Sequence, residues 1–579
     1  MSHKLIEKAR KRLQNEQGPR SNPWGGRLSV ALVYPNHYHQ AMSNLGFQWV
    51  YHYLNSREDV LCERFFLPDP EDLTEHRNTG YPLFSLESGH FLNDFDVVAF
   101  SISFENDYLH LPVLFELARI PLYAEERQGR FPLLMCGGVC AFLNPEPLAD
   151  IMDLFSVGEG EVILPGVIDL LLSSSQDRTE LLEKVARLPG VYVPSLYSVR
   201  YRDDGLVVAY QAQKGAPSRV RRRWLNDLGE SQVRTFCHTE DTEFGDMTLV
   251  EISRGCARGC RFCAAGYIYL PSRERTPDQL DPQVAEGLLR RQRIGLVSAA
   301  VSDHSEIGAI QKGIADRGGK MSVASLRIDS LTSSEVDALR ESGHRTCALA
   351  PEAGSQRLRN LINKGLNEDQ ILQAVRMLTE GGIPSLKLYF LIGLPTETDD
   401  DIAELLQLAE KVRSVWLQEG KKRGRLGQLT LSVNPFIPKP FTPLQWAGMA
   451  ATGLLKKRCR MLRSGVARMA NTEVIFESLR SAELQALLSR GDRRTGRILP
   501  ALASGDTLRS ACRLHGLEPD FFVTRQRGEE ELFPWEVIDN GVTRDYLWRE
   551  YRRALKGELS PPCSPGCRRC GVCGNEGLS

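Results

Sequence analysis

Fourteen cysteines punctuate the 579 residues, and seven of them fall in two tight groups. The first is Cys256-Ala-Arg-Gly-Cys260-Arg-Phe-Cys263; the second is Cys563-x3-Cys567-x2-Cys570-x2-Cys573. Scattered at random, 14 cysteines in 579 residues produce a C-x3-C-x2-C triplet only about 0.008 times. Metal ligation is the chemistry such spacing suits. Three thiolates on one loop can wrap a single small centre and leave one coordination position open. On a [4Fe–4S] cluster, an open position is a place to bind and reduce something. Structural zinc takes four protein ligands, so zinc at the first group needs a distant fourth donor such as His238 or His304. Four thiolates within 11 residues at the C-terminus saturate a tetrahedral metal or a cubane, which leaves an auxiliary [4Fe–4S] cluster and structural zinc both open.

The elements around the first group follow a regular pattern. Apolar, strand-like runs MTLVEIS, LVSAAVS, MSVASLRI, TCALAPE, LKLYFLIG and LTLSVNPF alternate with segments of helical periodicity such as DQILQAVRMLTEGG and DDDIAELLQLAEKVRSVWLQEG. Six βα units in series imply a parallel sheet with right-handed crossovers. Ligand sites in such sheets lie at the carboxyl ends of the strands, and the cysteine loop directly follows the first strand.

Ser-Arg-Gly-Cys256-x3-Cys260-Arg-Phe262-Cys263 resembles the signature of the radical S-adenosylmethionine (SAM) superfamily, the aromatic residue before the third Cys included. The resemblance implies a partial (β/α)6 TIM-type barrel. It implies that Cys256, Cys260 and Cys263 hold three irons of a [4Fe–4S] cluster while SAM chelates the fourth. Reduction of the sulfonium then gives methionine and a 5′-deoxyadenosyl radical that abstracts hydrogen from an unactivated C–H bond. Further landmarks carry expectations. Ser302 stands in the loop that meets the SAM amino group, without the usual Gly-Gly-Glu. Arg327 pairs with the SAM carboxylate, Glu352 accepts from the ribose hydroxyls, and Gly393 lets the backbone approach adenine or methionine. A flavodoxin- or ferredoxin-type electron donor is implied as partner, with an unknown substrate.

The N-terminal region reads as a second, doubly wound (Rossmann-like) α/β unit from its strands RLSVALVYP, DVVAFSIS, FPLLMCGG and LFSVGEG and their Gly-rich turns. It resembles the cobalamin-binding domain that precedes the core in one radical SAM class. The matching pieces are Ser101-Ile-Ser103, Cys136-Gly137-Gly138, Asn144-Pro-Glu-Pro147 and Gly158-Glu-Gly160. Ser101, Gly137, Gly138 and Gly158 are the cofactor-binding candidates. The Asp-x-His-x-x-Gly motif whose His ligates cobalt is absent, and the same turn offers His37 and His39 instead. Cobalamin would then bind without a protein ligand to cobalt, or the domain has lost the cofactor. Cys136 and Cys140 read as buried small hydrophobes.

These pieces order the chain as an N-terminal helix (1–26), a cobalamin-binding-like domain (27–185), a hairpin and linker (186–243), a radical SAM core (244–450) and a mostly helical C-terminal domain with a Cys-rich tail (451–579). Arg219-Val-Arg221-Arg222-Arg223-Trp224 reads as a solvated linker. With 72 Lys+Arg against 73 Asp+Glu, the charge balance indicates no nucleic-acid partner. No apolar run reaches the ~18–20 residues of a membrane span, and a charged N-terminus lacks the apolar core of a signal peptide, so the expected location is the cytoplasm. Two other readings stand beside a cobalamin-linked methylating enzyme. One is a methylthiotransferase-like modifier of RNA or protein, which needs a three-Cys N-terminal cluster domain. The other is a zinc-containing nucleic-acid-binding scaffold that uses the C-terminal cysteines and the Arg219–Arg223 patch.

Overall fold

The computed structural model describes residues 2–127, 129, 131–173, 177–323, 327–341, 343–422, 424, 427–564 and 566–574. The N-terminal unit is a six-stranded sheet of β1 (Leu28–Tyr34), β2 (Val60–Phe66), β3 (Val97–Ser101), β4 (Leu133–Gly137), β5 (Leu154–Ser156) and β6 (Val191–Tyr192). Their order is β2-β1-β3-β4-β5-β6. The first five run parallel and β6 is antiparallel. The run Leu-Ser-Val-Ala-Leu-Val-Tyr of β1 is buried from Ser29 onward, as a central strand covered on both faces must be. The chain order reverses between β1 and β3, so this is a doubly wound sheet whose ligand crevice belongs at that point.

A hairpin of β7 (Tyr197–Tyr201) and β8 (Val207–Ala212) follows. Then β9 (Val220–Arg221) pairs with a strand near the C-terminus. The second parallel system opens with β10 (Met247–Glu251). The short strands β11 (Ser253–Arg254) and β12 (Arg273–Glu274) pair antiparallel and bracket the cysteine loop. Next come β13 (Arg293–Val297), β14 (Lys320–Val323), β15 (Thr346–Glu352), β16 (Ser385–Ile392), β17 (Leu429–Pro435) and β18 (Thr472–Phe476). Among the described residues they form two parallel sheets, β10-β13-β14 and β15-β16-β17-β18. The last strand, β19 (Ile538–Asp539), is the partner of β9.

Helices lie between the strands with their ends satisfied by side chains. Thr276 and Gln279 form a capping box on Pro277–Leu288, and Asn367 and Gln370 do the same for Glu368–Glu380. The strands of the second sheet alternate in burial along β16, the pattern of a sheet with two unlike faces.

The structure departs from the sequence reading in three places. The second core strand is Arg293–Val297, so the apolar run Ala299–Val301 lies in the loop and turn beyond it. The parallel sheet does not stop at 450, because the helix Thr452–Val466 leads into β18, which pairs parallel with β17. Residues 219–224 are not a solvated linker: Arg222 and Trp224 are buried. Pairing of β9 with β19 brings Arg222 inward, where it stacks 4.6 Å from the Trp224 ring and donates to Leu270 O. Among the described residues, no helix is long and apolar enough to cross a membrane.

Candidate active site

The cysteine loop leaves β11 and enters the short helix Ala265–Ile268. Gly255 turns it with φ +86°, where a Cβ would stand 2.8 Å from Tyr269 O, so no side chain fits. Tyr267 Oη and Asn363 Nδ2 both donate to Gly259 O at 3.2 Å, and Cys263 N donates to Cys260 O at 3.1 Å. Phe262 packs against the main apolar core, half-buried.

Three arginines pin the loop, each in a different direction. Arg254 Nη1 donates to Glu159 of the N-terminal unit at 2.8 Å and Nη2 to Glu161 at 2.5 Å, while Nε donates to Glu251 at 2.8 Å. Glu159 also takes Arg273 at 2.7 Å, and Glu251 takes Arg275 at 2.8 Å. Burial alone would raise the Glu159 carboxyl, but Arg254 and Arg273 bring it down to about 2. Arg258 Nε donates to Asp303 at 2.7 Å and Nη1 to Asp329 at 3.0 Å. Arg261, fully buried, donates to Glu550 from Nε and Nη2, to Asn360 O and Leu361 O from Nη1, and to Glu558 O and Ser560 Oγ from Nη2. A planar five-donor fork is the side chain that can bind so many acceptors at once.

The three thiols lie within one another's field. Burial pushes Cys260 up to about 11, with Lys364 and Arg327 opposing and Cys263 and Cys256 adding to the rise. Burial raises Cys263 too, and Cys256 and Glu352 act in the same direction. Among the described residues, no three His, Cys, Asp or Glu side chains are drawn close enough to hold a metal ion as they stand. The donor set nonetheless suits a thiophilic anionic cluster: three thiols within eight residues of one glycine-turned loop, with Lys364 and Arg327 acting on Cys260. Binding would replace the thiol protons that burial favours.

Each remaining expectation has a definite place. Glu352 ends β15 at φ +67°, an uncommon conformation for a non-glycine residue, and pairs with Lys364 at 3.3 Å. Arg327 is engaged twice, with Asp329 at 2.9 Å and Asp303 at 3.3 Å. It therefore shares both acids with Arg258 in a neutral quartet. Ser302 sits in the turn Val301–Asp303, and the residue at the strand end is Ser298, whose hydroxyl meets that of Ser253 at 2.6 Å. Gly393 serves the protein's own packing, since a Cβ there would meet Leu455 at 2.8 Å and Ala450 at 2.9 Å. Lys364, Arg258, Arg261 and Ser298 were not among the sequence candidates. Arg258 and Arg261 were visible inside the cysteine motif itself, whereas Lys364 carries no local signal.

A cavity of about 510 Å³ opens between the two α/β units. One wall is the carboxyl edge of the N-terminal sheet, where Ser101, Gly137, Gly138 and Gly158 all lie. The other is Ser253, Arg254, Gly255 and Ala265 of the cysteine loop with Ser298. Trp49, Phe142, Leu164 and Tyr269 make much of its surface apolar. Two of the glycines answer to the backbone: a Cβ on Gly138 would stand 2.5 Å from Ile102 O, and on Gly158 2.0 Å from Arg223 O. His37 and His39 turn elsewhere, toward Leu67 O at 3.2 Å and Asp241 at 3.2 Å. Cys136 and Cys140 are buried.

Comparison to known proteins identifies the family. The model for the radical SAM superfamily matches residues 250–409, and the one for the N-terminal region of radical SAM proteins matches residues 46–194. The chain belongs to the radical SAM superfamily. It is 27% identical over 488 residues to the uncharacterized protein MJ0966 of Methanocaldococcus jannaschii, covering 84% of this chain and 94% of that one. It is 26% identical over 183 residues to a tRNA-2-methylthio-N(6)-dimethylallyladenosine synthase of Desulforamulus reducens, covering 28% of this chain and 39% of the synthase. Among solved structures, the FeFe-hydrogenase maturase HydG of Carboxydothermus hydrogenoformans aligns at 18% identity and a TM-score of 0.28, over 42% of this chain and 56% of the maturase.

Proposed function

We propose that Cys256, Cys260 and Cys263 hold a [4Fe–4S] cluster used to cleave SAM, and that the chain functionalises a C–H bond of a substrate reached from the interfacial cavity, with cobalamin-linked methylation as the reaction the N-terminal unit favours. The observation that carries this reading is the cavity itself. Its walls are the ligand-binding edge of a doubly wound sheet and the loop that bears the three thiols. When bound, the cluster supplies one electron, drawn from a flavodoxin- or ferredoxin-type donor, to break the C5′–S bond of SAM. A methylcobalamin bound in the cavity would supply a methyl group.

The chain's own residues then do the positioning. Lys364 and Arg327 balance charge beside Cys260. Glu352, held by Lys364 at the end of β15, accepts from ribose hydroxyls. Arg327 receives the SAM carboxylate by releasing Asp303, the longer of its two contacts. Ser101 and Gly137 supply a polar rim and an open backbone to the corrinoid, while the apolar walls exclude water. His37 and His39 do not line this cavity, so a cobalamin held there would draw no cobalt ligand from that turn.

The likeness to the tRNA methylthiolating synthase raises methylthio transfer to an RNA as a second reading. It lacks the N-terminal thiol set, because Cys62, Cys136, Cys140 and Cys237 are all buried and scattered. The scaffold reading loses Arg222 to burial, and Arg219 is spent on Glu536 O and Ile538 O.

A cavity-filling variant tests the assignment. Gly137 has room for a side chain, its nearest neighbour from a Cβ being Ser156 at 3.9 Å. After anaerobic incubation with hydroxocobalamin and desalting, wild-type protein should retain corrinoid, and Gly137→Leu should lose it with iron content unchanged. A wild-type protein that retains no corrinoid but yields 5′-deoxyadenosine would remove methylcobalamin and leave the cluster chemistry standing.

A further inference from the structure

The last segment of the chain returns to the cysteine loop. Cys563 N donates to Ala257 O at 2.6 Å, so covalent reach places the Cα atoms of Cys256 and Cys563 within about 10 Å of each other. Ser560 N donates to Asn363 Oδ1 at 2.9 Å, and the same Asn363 holds Gly259 O through Nδ2. Arg261 reaches the segment twice, at Glu558 O (2.7 Å) and Ser560 Oγ (3.0 Å). The far end is tied as well, since Thr543 N donates to Cys570 O at 2.8 Å.

This segment has little of its own to hold it in place. Between 556 and 574, the described side chains that are buried are Cys570 and Val572. Among the described residues there, the single regular element is the short turn Val572–Gly574. So small a unit folds on a staple, either a disulfide or a metal, and none of the four cysteines is in a disulfide. Gly566 and Gly571, with φ +76° and +94°, turn the chain between Cys563 and Cys567 and between Cys570 and Cys573. Arg569 Nε donates to Cys567 Sγ at 3.2 Å, as a cation does beside a thiolate.

We infer that Cys563, Cys567, Cys570 and Cys573 bind a thiophilic metal centre, one zinc ion or one [4Fe–4S] cluster, and that the filled knuckle clamps the loop carrying Cys256, Cys260 and Cys263. Arg261 is the positioning residue that joins the two. Each ligating cysteine gives its proton to solvent as the centre binds. The clamping half of this inference rests on the proposed cluster at the first loop; the metal-binding half does not.

Anaerobically purified wild type, Cys256→Ser/Cys260→Ser/Cys263→Ser, Cys567→Ser/Cys573→Ser and Arg261→Lys, each analysed for iron and zinc and by electron paramagnetic resonance, separate the possibilities. The triple variant should keep one zinc or ~4 irons per chain, and which metal it keeps names the centre. The tail variant should lose that centre. Its first cluster should also show a changed SAM-induced g-shift and release iron to a chelator several-fold faster. Arg261→Lys should reproduce those changes with every thiol present. A triple variant free of metal would overturn the inference, whether or not the tail variant folds. Wild-type spectra and chelation rates in both Cys567→Ser/Cys573→Ser and Arg261→Lys would overturn the clamp. Failure of the first-loop reading shows separately, as a tail variant that carries no iron at all.

Discussion

The two parallel sheets of the second α/β system are held in different ways. The sheet β15–β18 shares one continuous apolar core with the N-terminal unit and the C-terminal helices, through Leu349, Leu388, Trp416 and Leu431. The sheet β10-β13-β14, which carries the cysteine loop, has a separate core of nine buried residues among those described, from Val250 to Ile314. What it lacks in hydrocarbon it makes up in arginine: Arg254 binds acids of the N-terminal unit, Arg258 acids in the loops beyond β13 and β14, and Arg261 an acid near the C-terminus. Hydrocarbon packing is non-directional and resists every distortion alike. Paired arginines define a geometry and lose it when one partner is removed. A loop that must present three sulfurs to one centre needs the second kind of support.

That contrast can be broken at either half, and the largest effect belongs to the packed one. Trp416 is fully buried, and its Nε1 donates to Pro384 O at 2.9 Å. Trp416→Ala should lower the stability of the whole molecule by about 3–5 kcal/mol, read as a fall in denaturant midpoint that every probe shares. If only part of the molecule unfolds early, the core is not continuous.

Breaking the Arg261–Glu550 pair should cost about 3–4 kcal/mol as well, but locally. Glu550→Gln should raise hydrogen exchange in 255–263 and 556–574 while β16 and β17 stay protected. Uniform loss of protection would show that these residues support the general core instead. A smaller change, Val284→Ala in the separate core, should cost about 2 kcal/mol and expose β10 and β13 to exchange ahead of β16.

The smallest test is one of pH, and the two halves should respond with opposite signs. Beside β10, burial with the nearby Arg291, Arg234 and Arg290 lowers His238 to about 4. The unfolded chain takes up that proton first, so this contribution is present above about pH 6.5 and is lost as pH falls toward 4. Beyond β16, burial raises Glu397 to about 7 in spite of Arg458 at 2.7 Å. Its contribution is full below about pH 4.5 and is lost as pH rises through 7. His238→Asn should flatten the acid limb of a stability–pH curve, and Glu397→Gln the limb between 5 and 7. Unchanged curves for both would show that neither group is held as described.

Much of this was legible beforehand, for physical reasons that differ by residue. The cysteine spacing is a covalent fact, and the chemistry it permits does not wait on folding. The strands β1, β3, β15, β16 and β17 are apolar runs bounded by turns. The strand β13 was displaced because Arg293-Ile-Gly295 offers a charge and a glycine where β-propensity favours bulk; Gly295 is there because a Cβ would meet Leu249 at 2.7 Å and Met247 at 2.8 Å. The strand β18 carries little sequence signal, being a half-buried edge strand inside a helical stretch. The destinations of Arg222, Arg261 and Lys364 depend on partners 12 to 318 positions away, and no local periodicity encodes those.

The central claim is that the sulfurs of Cys256, Cys260 and Cys263 together hold a SAM-cleaving cluster. Its most direct test is the yield of 5′-deoxyadenosine from anaerobically reconstituted protein given SAM and dithionite. Wild type should form it, and Cys256→Ser, Cys260→Ser and Cys263→Ser should each fall to background. A wild-type yield from any one of the three variants would contradict the claim.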